Sequence, residues 1–247
     1  MSIELAIIGG TGLYRFPGLE DIERDHVDTP YGAASGDVVI GAIGGRRVAF
    51  LARHGEGHSV APHRVNYRAN VWALHRLGAR RIVGINAVGG IRSDMAPRAI
   101  AVPDQIIDYT SGRTTSYCDV DGAEVKHIDF SEPYSAPLRA ALLGAARDVG
   151  IAVIDGGCYG TTQGPRLETR AEIARMRRDG CDLVGMTGMP EAALARELEC
   201  EYACLALVAN WAAGCGDEAE ISLPEIFANL EAATADVPKI VSALLSA

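Results

Sequence analysis

The chain has 247 residues, 48% of them hydrophobic, which suits one α/β domain of ordinary upper size with a large core. Acidic side chains number 32 and basic ones 23, a formal net charge of -9, so its overall field disfavours nucleic acid and anionic membrane; any anion must be held by a local cluster. Cys118, Cys158, Cys181, Cys200, Cys204 and Cys215 form no CxxC pair and no zinc spacing, and they read as free buried thiols.

In chain order, Met1-Ser2-Ile3-Glu4-Leu5 has neither a charged flank nor a long apolar run, so no signal peptide or membrane span is expected. Leu5 to Ile8 is a short apolar run ended by glycines and reads as a buried strand. Val38 to Ile43, a Gly44-Gly45 turn and Arg47 to Leu51 read as a hairpin. Val65, Ala69, Trp72, Ala73 and Leu77 fall at helical spacing, with Gly78 as the stop. Arg81 to Ile85 is a further buried strand, and Asn86-Ala87-Val88-Gly89-Gly90 is read as the turn that follows it. Thr110 to Glu124 shows no period. Pro137 opens a helix carrying Leu138, Leu142, Ala145 and Val149 on one face. Thr169 with Glu172 has capping-box spacing, and Gly180 closes that helix. Leu183-Val184 and Ala203 to Ala209 read as interior strands; Ser222 with Glu225 again has capping-box spacing, opening one C-terminal helix. Helices alternating with apolar strands predict a parallel or mixed sheet covered on both faces, with ligands outside the strand ends.

Several positions carry chemistry. Gly9-Gly10-Thr11-Gly12 follows a strand, where glycine lets backbone amides approach an oxyanion; the same turn also serves as a plain tight turn, and the full dinucleotide fingerprint is missing because Arg15 takes the last glycine's place. Arg53-His54 ends a strand: an arginine fork suits phosphate oxygens, against a surface arginine beside a core histidine. His54 and His58 are four apart, but Gly55 and Gly57 argue against a helix that would align them on a metal. Asn86 is a turn-former or a ligand contact. Glu168 is a helix-start carboxylate or a ligand group, Met186 a core filler or a ligand contact, and Asn210 a loop tie or a ligand amide.

Together and in this order, these segments resemble the trimeric purine nucleoside phosphorylases, and within them the methylthioadenosine phosphorylase branch. Ile7 to Leu13, Asp28-Thr29-Pro30-Tyr31-Gly32, Leu51 to Gly55, Val65 to Asn70 and Gly164-Pro165-Arg166 are similar to the methylthio branch. Asn86 to Gly90 and Leu167-Glu168-Thr169 are closer to the 6-oxopurine branch. The resemblance covers nearly the whole chain and implies one domain over residues 1–247, an α/β nucleoside-phosphorylase-like fold with a mixed central sheet flanked by helices.

The resemblance also implies roles. Thr11, Arg53, His54, the backbone at Asn86 and Ala87, and Thr187 would hold phosphate; Met186 would lie beside the ribose hydroxyls; Glu168 and Asn210 would read the base. Asn210, Glu168 and His54 are the candidate catalytic residues. The chain departs from the methylthioadenosine pattern, which has Asp at positions 210 and 212 and a small hydroxyl residue at 168. An ionised Glu168 accepts the N1 proton of a 6-oxopurine and repels the N1 lone pair of adenine. Leu223 stands where ordinary nucleoside phosphorylases have a histidine for the 5′-hydroxyl, and favours a methylthio group. His127 matches a position that reaches a neighbouring subunit's sugar site. The implied reaction is phosphorolysis of 5′-methylthioinosine to hypoxanthine and 5-methylthioribose-1-phosphate in purine salvage. It would be carried out by a cytoplasmic homotrimer with inorganic phosphate as co-substrate and with no metal or organic cofactor. The alternatives are a methylthioadenosine phosphorylase and an inosine/guanosine phosphorylase. From other classes come a nucleotide-cofactor oxidoreductase, suggested by the glycine turn alone, and a non-catalytic nucleoside binder.

Overall fold

The computed structural model describes residues 3–120, 122–216 and 222–246, so Met1 and Ser2 of the expected amino-terminal lead-in lie outside the described residues. Its centre is an eleven-stranded mixed sheet. The long strand β5 (Arg81–Gly90) is the axis. Strand β1 (Leu5–Gly9) pairs parallel with one edge of β5 and, on its other side, parallel with β4 (Arg46–Ala52). β3 (Val38–Ile43) forms the expected hairpin with β4, and the exposed β2 (Glu20–Asp25) adds to β3. On the other edge of β5, β11 (Glu201–Trp211) runs parallel along its whole length, followed by β6 (Ile100–Val102) and β8 (Ile154–Asp155). β10 (Leu183–Gly185) carries the sheet on to β9 (Cys158–Thr161) and β7 (Gln105–Asp108).

β1 and β10 use the same edge of β5 from opposite ends. β1 reaches Ile8 opposite Gly84, and the antiparallel β10 reaches Val184 opposite Gly89. Both chains then leave the ladder facing one another, with Asn86, Ala87 and Val88 between them. This break in the ladder positions the site.

The Asn86 to Gly90 segment is therefore strand, not a turn. The glycines serve close packing: a Cβ on Gly90 would lie 1.8 Å from the Met95 carbonyl oxygen, and one on Gly89 would press on Val184 and Ala212 at 3.3 and 3.4 Å. Side chains alternate across the sheet. Ala6 and Ile8 join Val71 and Leu74 of α1 (Tyr67–Arg76) and Leu194 of α4 (Glu191–Glu197) in one core. Leu5 and Ile7 join Leu138 and Leu142 of α2 (Ala136–Asp148), Leu230 of α5 (Leu223–Thr234) and Ile240 of α6 (Val237–Ser246) in the other.

Helix ends follow the sequence closely, with exceptions. Thr169 and Glu172 make the full reciprocal capping box at the start of α3 (Arg170–Arg178). Ser222 is the N-cap of α5, but its side chain caps nothing; Pro224 in the first turn already removes one of the free N–H donors there. The C-terminal helix is two, α5 and α6. Val149 falls just past α2 and is exposed, not on its buried face. All six cysteines are free; Cys181, Cys200 and Cys204 are buried, whereas Cys118, Cys158 and Cys215 are half-buried. Among the described residues no helix is long and apolar enough to cross a membrane.

Candidate active site

A cleft of about 460 Å³ opens at the break in the ladder. Thr11 reaches it from the turn after β1, Arg53 and His54 from the end of β4, and Ala87 from β5. Met186 and Thr187 come from the end of β10, Asn210 from β11, Glu168 from the lead into α3 and Leu223 from the first residue of α5. Strand ends and helix starts thus deliver the expected set to one place. Asn86 lies fully buried behind the cleft wall. His127 is exposed, in the irregular stretch before α2, and does not line this cleft.

Gly10 is required at the floor, since a Cβ there would lie 2.5 Å from the Ile85 oxygen and 3.0 Å from Arg53 Nη1. Arg53 is fully buried, and its fork does not face the cleft freely. Nε and Nη2 donate to the two carboxylate oxygens of buried Glu191, each at 2.8 Å, while Nη1 donates to Ile85 O at 2.9 Å. Burial alone would lower the Arg53 pKa; the Glu191 charge more than offsets this and holds the guanidinium protonated. Nη1, beside Gly10, is the nitrogen left with a spare proton for an anion.

Asn86 acts through its neighbours. Its Oδ1 accepts from Arg53 Nη2 at 3.3 Å, and its Nδ2 donates to Thr187 Oγ1 at 2.8 Å. The Thr187 hydroxyl, having accepted one bond, keeps its own proton for a ligand. The His54 Nδ1 lies 2.8 Å from Val60 O. A carbonyl only accepts, so Nδ1 carries the proton and Nε2 is a bare acceptor. Burial, with the Arg53 charge added, depresses the His54 pKa to about 4, so the ring is neutral at pH 7.

Glu168 is half-buried, and burial raises its pKa; a hydrogen bond from Thr162 Oγ1 to its Oε1, 2.5 Å long, acts in the opposite direction. Asn210 sits at a bulge where the register of β11 on β5 slips after Val208, the device that turns a strand side chain into a site. Its Nδ2 donates to Trp211 O at 2.7 Å, and among the described residues Oδ1 has no partner. At the mouth, Leu223 and Phe227 are one helical turn apart and 61% and 57% exposed, an unusual pairing for large apolar side chains in a polar cleft.

Four contributors escaped sequence reasoning. Glu191 looks like any helix-start glutamate after proline. Thr162 has no motif of its own. Arg113 lies in the unreadable stretch, yet its guanidinium donates to the carbonyls of Met186 and Gln163 at 2.8 and 2.9 Å, tying together the two loops that carry Thr187 and Glu168. Phe227 alone had a signal, its i,i+4 spacing from Leu223. The His54 and His58 rings do approach, at 4.5 Å between centroids, but among the described residues no group of three His, Cys, Asp or Glu side chains is placed to hold a metal ion.

The phosphorylase superfamily model matches residues 4–246. A probable S-methyl-5′-thioinosine phosphorylase of Xanthomonas campestris pv. campestris is 59% identical over 98% of this chain and 97% of its own. A 6-oxopurine nucleoside phosphorylase of Pyrococcus furiosus is 44% identical over 98% of this chain and 91% of its own. Among solved structures, methylthioadenosine phosphorylase from Schistosoma mansoni in complex with adenine superposes with a TM-score of 0.94 at 30% identity, covering 99% of this chain and 91% of that one. A methylthioadenosine phosphorylase from an antarctic soil metagenomic library gives a TM-score of 0.92 at 37% identity over 99% of this chain and 86% of its own. The chain belongs to the phosphorylase superfamily, among its nucleoside phosphorylases.

Proposed function

We propose that the protein cleaves 5′-methylthioinosine with inorganic phosphate, releasing hypoxanthine and 5-methylthioribose-1-phosphate. The observation that carries this reading is the pairing, in one cleft, of a Glu168 and Asn210 base end with a Leu223 and Phe227 apolar end. The relatives named for S-methyl-5′-thioinosine phosphorolysis support it.

In this reading phosphate lies below C1′, held by Thr11 and Thr187 hydroxyls, Arg53 Nη1 and the backbone at Asn86 and Ala87. His54 Nε2, a bare acceptor, takes a hydrogen bond from a protonated phosphate oxygen or a sugar hydroxyl. Met186 packs beside the ribose. As the glycosidic bond loosens, the sugar gains oxocarbenium character, which the phosphate charge stabilises. Electron density moves onto the purine, where Asn210 bonds to N7 and O6 and Glu168 to N1–H; these bonds strengthen as the leaving group charges. Phosphate then captures C1′. The chemistry uses no protein nucleophile and no metal or organic cofactor.

The same reading takes the working form as a homotrimer in which the exposed His127 completes a neighbouring subunit's sugar site, and gel filtration with light scattering tests the trimer. The cytoplasm is the proposed location, with six free thiols suited to a reducing compartment.

The deciding experiment is purine release from 5′-methylthioinosine, 5′-methylthioadenosine and inosine, each with and without phosphate. The reading requires phosphate-dependent hypoxanthine release, fastest from methylthioinosine. A preference for methylthioadenosine overturns the base assignment, and a preference for inosine overturns the role of Leu223.

A further inference from the structure

Thr162 follows β9 directly, and its backbone N–H donates to Gly185 O at 2.8 Å, which fixes it against the end of β10. Its hydroxyl has two acceptors within reach: Glu168 Oε1 at 2.5 Å and, more distantly, Gly185 O at 3.4 Å. The hydroxyl has one proton, so two arrangements are open. With Glu168 ionised, Thr162 gives its proton to the carboxylate in a short, charge-assisted bond. With Glu168 protonated, either the proton sits on Oε1 and Thr162 must turn its own proton to Gly185, at a distance where a hydroxyl bond is weak, or it sits on Oε2 and the bond from Thr162 to Oε1 loses its charge assistance. The geometry favours the first arrangement. The nearby charges do not decide between them, because Arg166 and Glu172 satisfy each other at 2.7 and 2.8 Å.

The two arrangements suit different bases. An ionised Glu168 is an acceptor only and matches the N1–H of a 6-oxopurine. A Glu168 protonated on the oxygen turned away from Thr162 is a donor there and matches the N1 lone pair of adenine. We infer that Thr162 is a specificity-determining positioning residue: by donating its hydroxyl proton to Glu168 Oε1, it holds the carboxylate as an acceptor and biases the cleft against 6-aminopurines. The inference rests on Glu168 facing the base, as proposed above. Sequence reasoning placed the choice between bases on Glu168 and Asn210 alone; here the neighbour that holds the carboxylate's state shares it.

The test is the ratio of kcat/KM for methylthioinosine over methylthioadenosine, at saturating phosphate, in Thr162→Val, Thr162→Ser and Glu168→Gln. Valine keeps the shape and removes the hydroxyl, and the ratio is expected to fall about tenfold, the scale of one hydrogen bond to a charged group. Serine keeps the hydroxyl and is expected to stay within about twofold of the parent, a rescue that a packing role for the methyl group would not produce. If the valine variant fails to fold by circular dichroism, Thr162→Ala carries the same expectation. A ratio unchanged in the hydroxyl-free variant overturns the inference. Glu168→Gln separates the two levels: an unchanged ratio there removes Glu168 from base reading altogether, whereas a ratio that collapses in Glu168→Gln and holds in Thr162→Val removes Thr162 alone.

Discussion

Arg53 and Glu191 form a fully buried, two-pronged ion pair directly beneath the cleft, with Tyr202 donating a third bond to the same carboxylate at 2.7 Å. The charge proposed to meet phosphate is thus anchored from behind, by a carboxylate that does not itself line the cleft. Removing one partner strands the other charge in the core. Glu191→Ala should therefore cost about 3–5 kcal/mol of stability. Replacing both residues with apolar ones of similar volume should cost clearly less than the sum of the single changes. Urea midpoints for the two singles and the double measure this directly.

His54 should make stability depend on pH over a defined window. Its folded pKa, about 4, lies below the unfolded value near 6.5, so between those values the unfolded chain binds more protons. Stability is then unaffected by this group above about pH 6.5 and falls as the pH drops towards 4, by up to roughly 3 kcal/mol. Urea midpoints at pH 7 and pH 4.5 should fall further for the parent than for His54→Gln, which has nothing to titrate there.

The apolar mouth should set the 5′ preference. Leu223→His should move relative kcat/KM from methylthioinosine towards inosine by about 1–3 kcal/mol, roughly five- to 150-fold. Phe227→Ala should raise KM for methylthioinosine more than for inosine. Equal losses on both nucleosides would show that the pair supports the fold and does not read the sugar.

Two glycines should respond in opposite ways to alanine. Gly90→Ala drives a Cβ to 1.8 Å from Met95 O, a backbone atom with nowhere to go, and should cost more than about 3 kcal/mol or prevent folding. Gly144 lies inside α2 with nothing within 4 Å of its Cβ position. Gly144→Ala should stabilise by about 0.5–1 kcal/mol, because alanine loses less backbone freedom in a helix. Thermal melts of the two variants provide the check.

Much of the frame was legible because it follows local rules. The apolar run at Leu5 to Ile8, the Gly44-Gly45 hairpin and the Thr169 capping box each rest on residues adjacent in sequence, and each formed as expected. Asn86 to Gly90 was misread because a double glycine has two local meanings, and the extended one is selected by pairing with β11 and β10, which lie far off in sequence. β2, with the sequence Glu-Asp-Ile-Glu-Arg-Asp, is a strand solely through pairing with β3 and carries no apolar pattern. The resemblance pointed to Thr11, Arg53, His54, Ala87, Glu168, Met186, Thr187, Asn210 and Leu223, all of which line the cleft. It did not point to their supports, Glu191, Thr162 and Arg113, because each acts on a residue distant in sequence or through an ordinary hydroxyl.

The opposed approach of β1 and β10 to a single edge of β5 has a consequence for how the molecule comes into being. Strands β1, β4 and β5 lie in the first part of the chain, so one bank of the cleft is available early in synthesis. The opposite bank, with Thr187, waits for residues 183–187, and Asn210 for β11, whose pairing with β5 joins segments more than a hundred residues apart. Pairings of such range close slowly. A nascent chain or an amino-terminal fragment would therefore own half of the proposed phosphate cradle and none of the proposed base pocket, and turnover should appear in one step with completion of the sheet rather than grow with chain length.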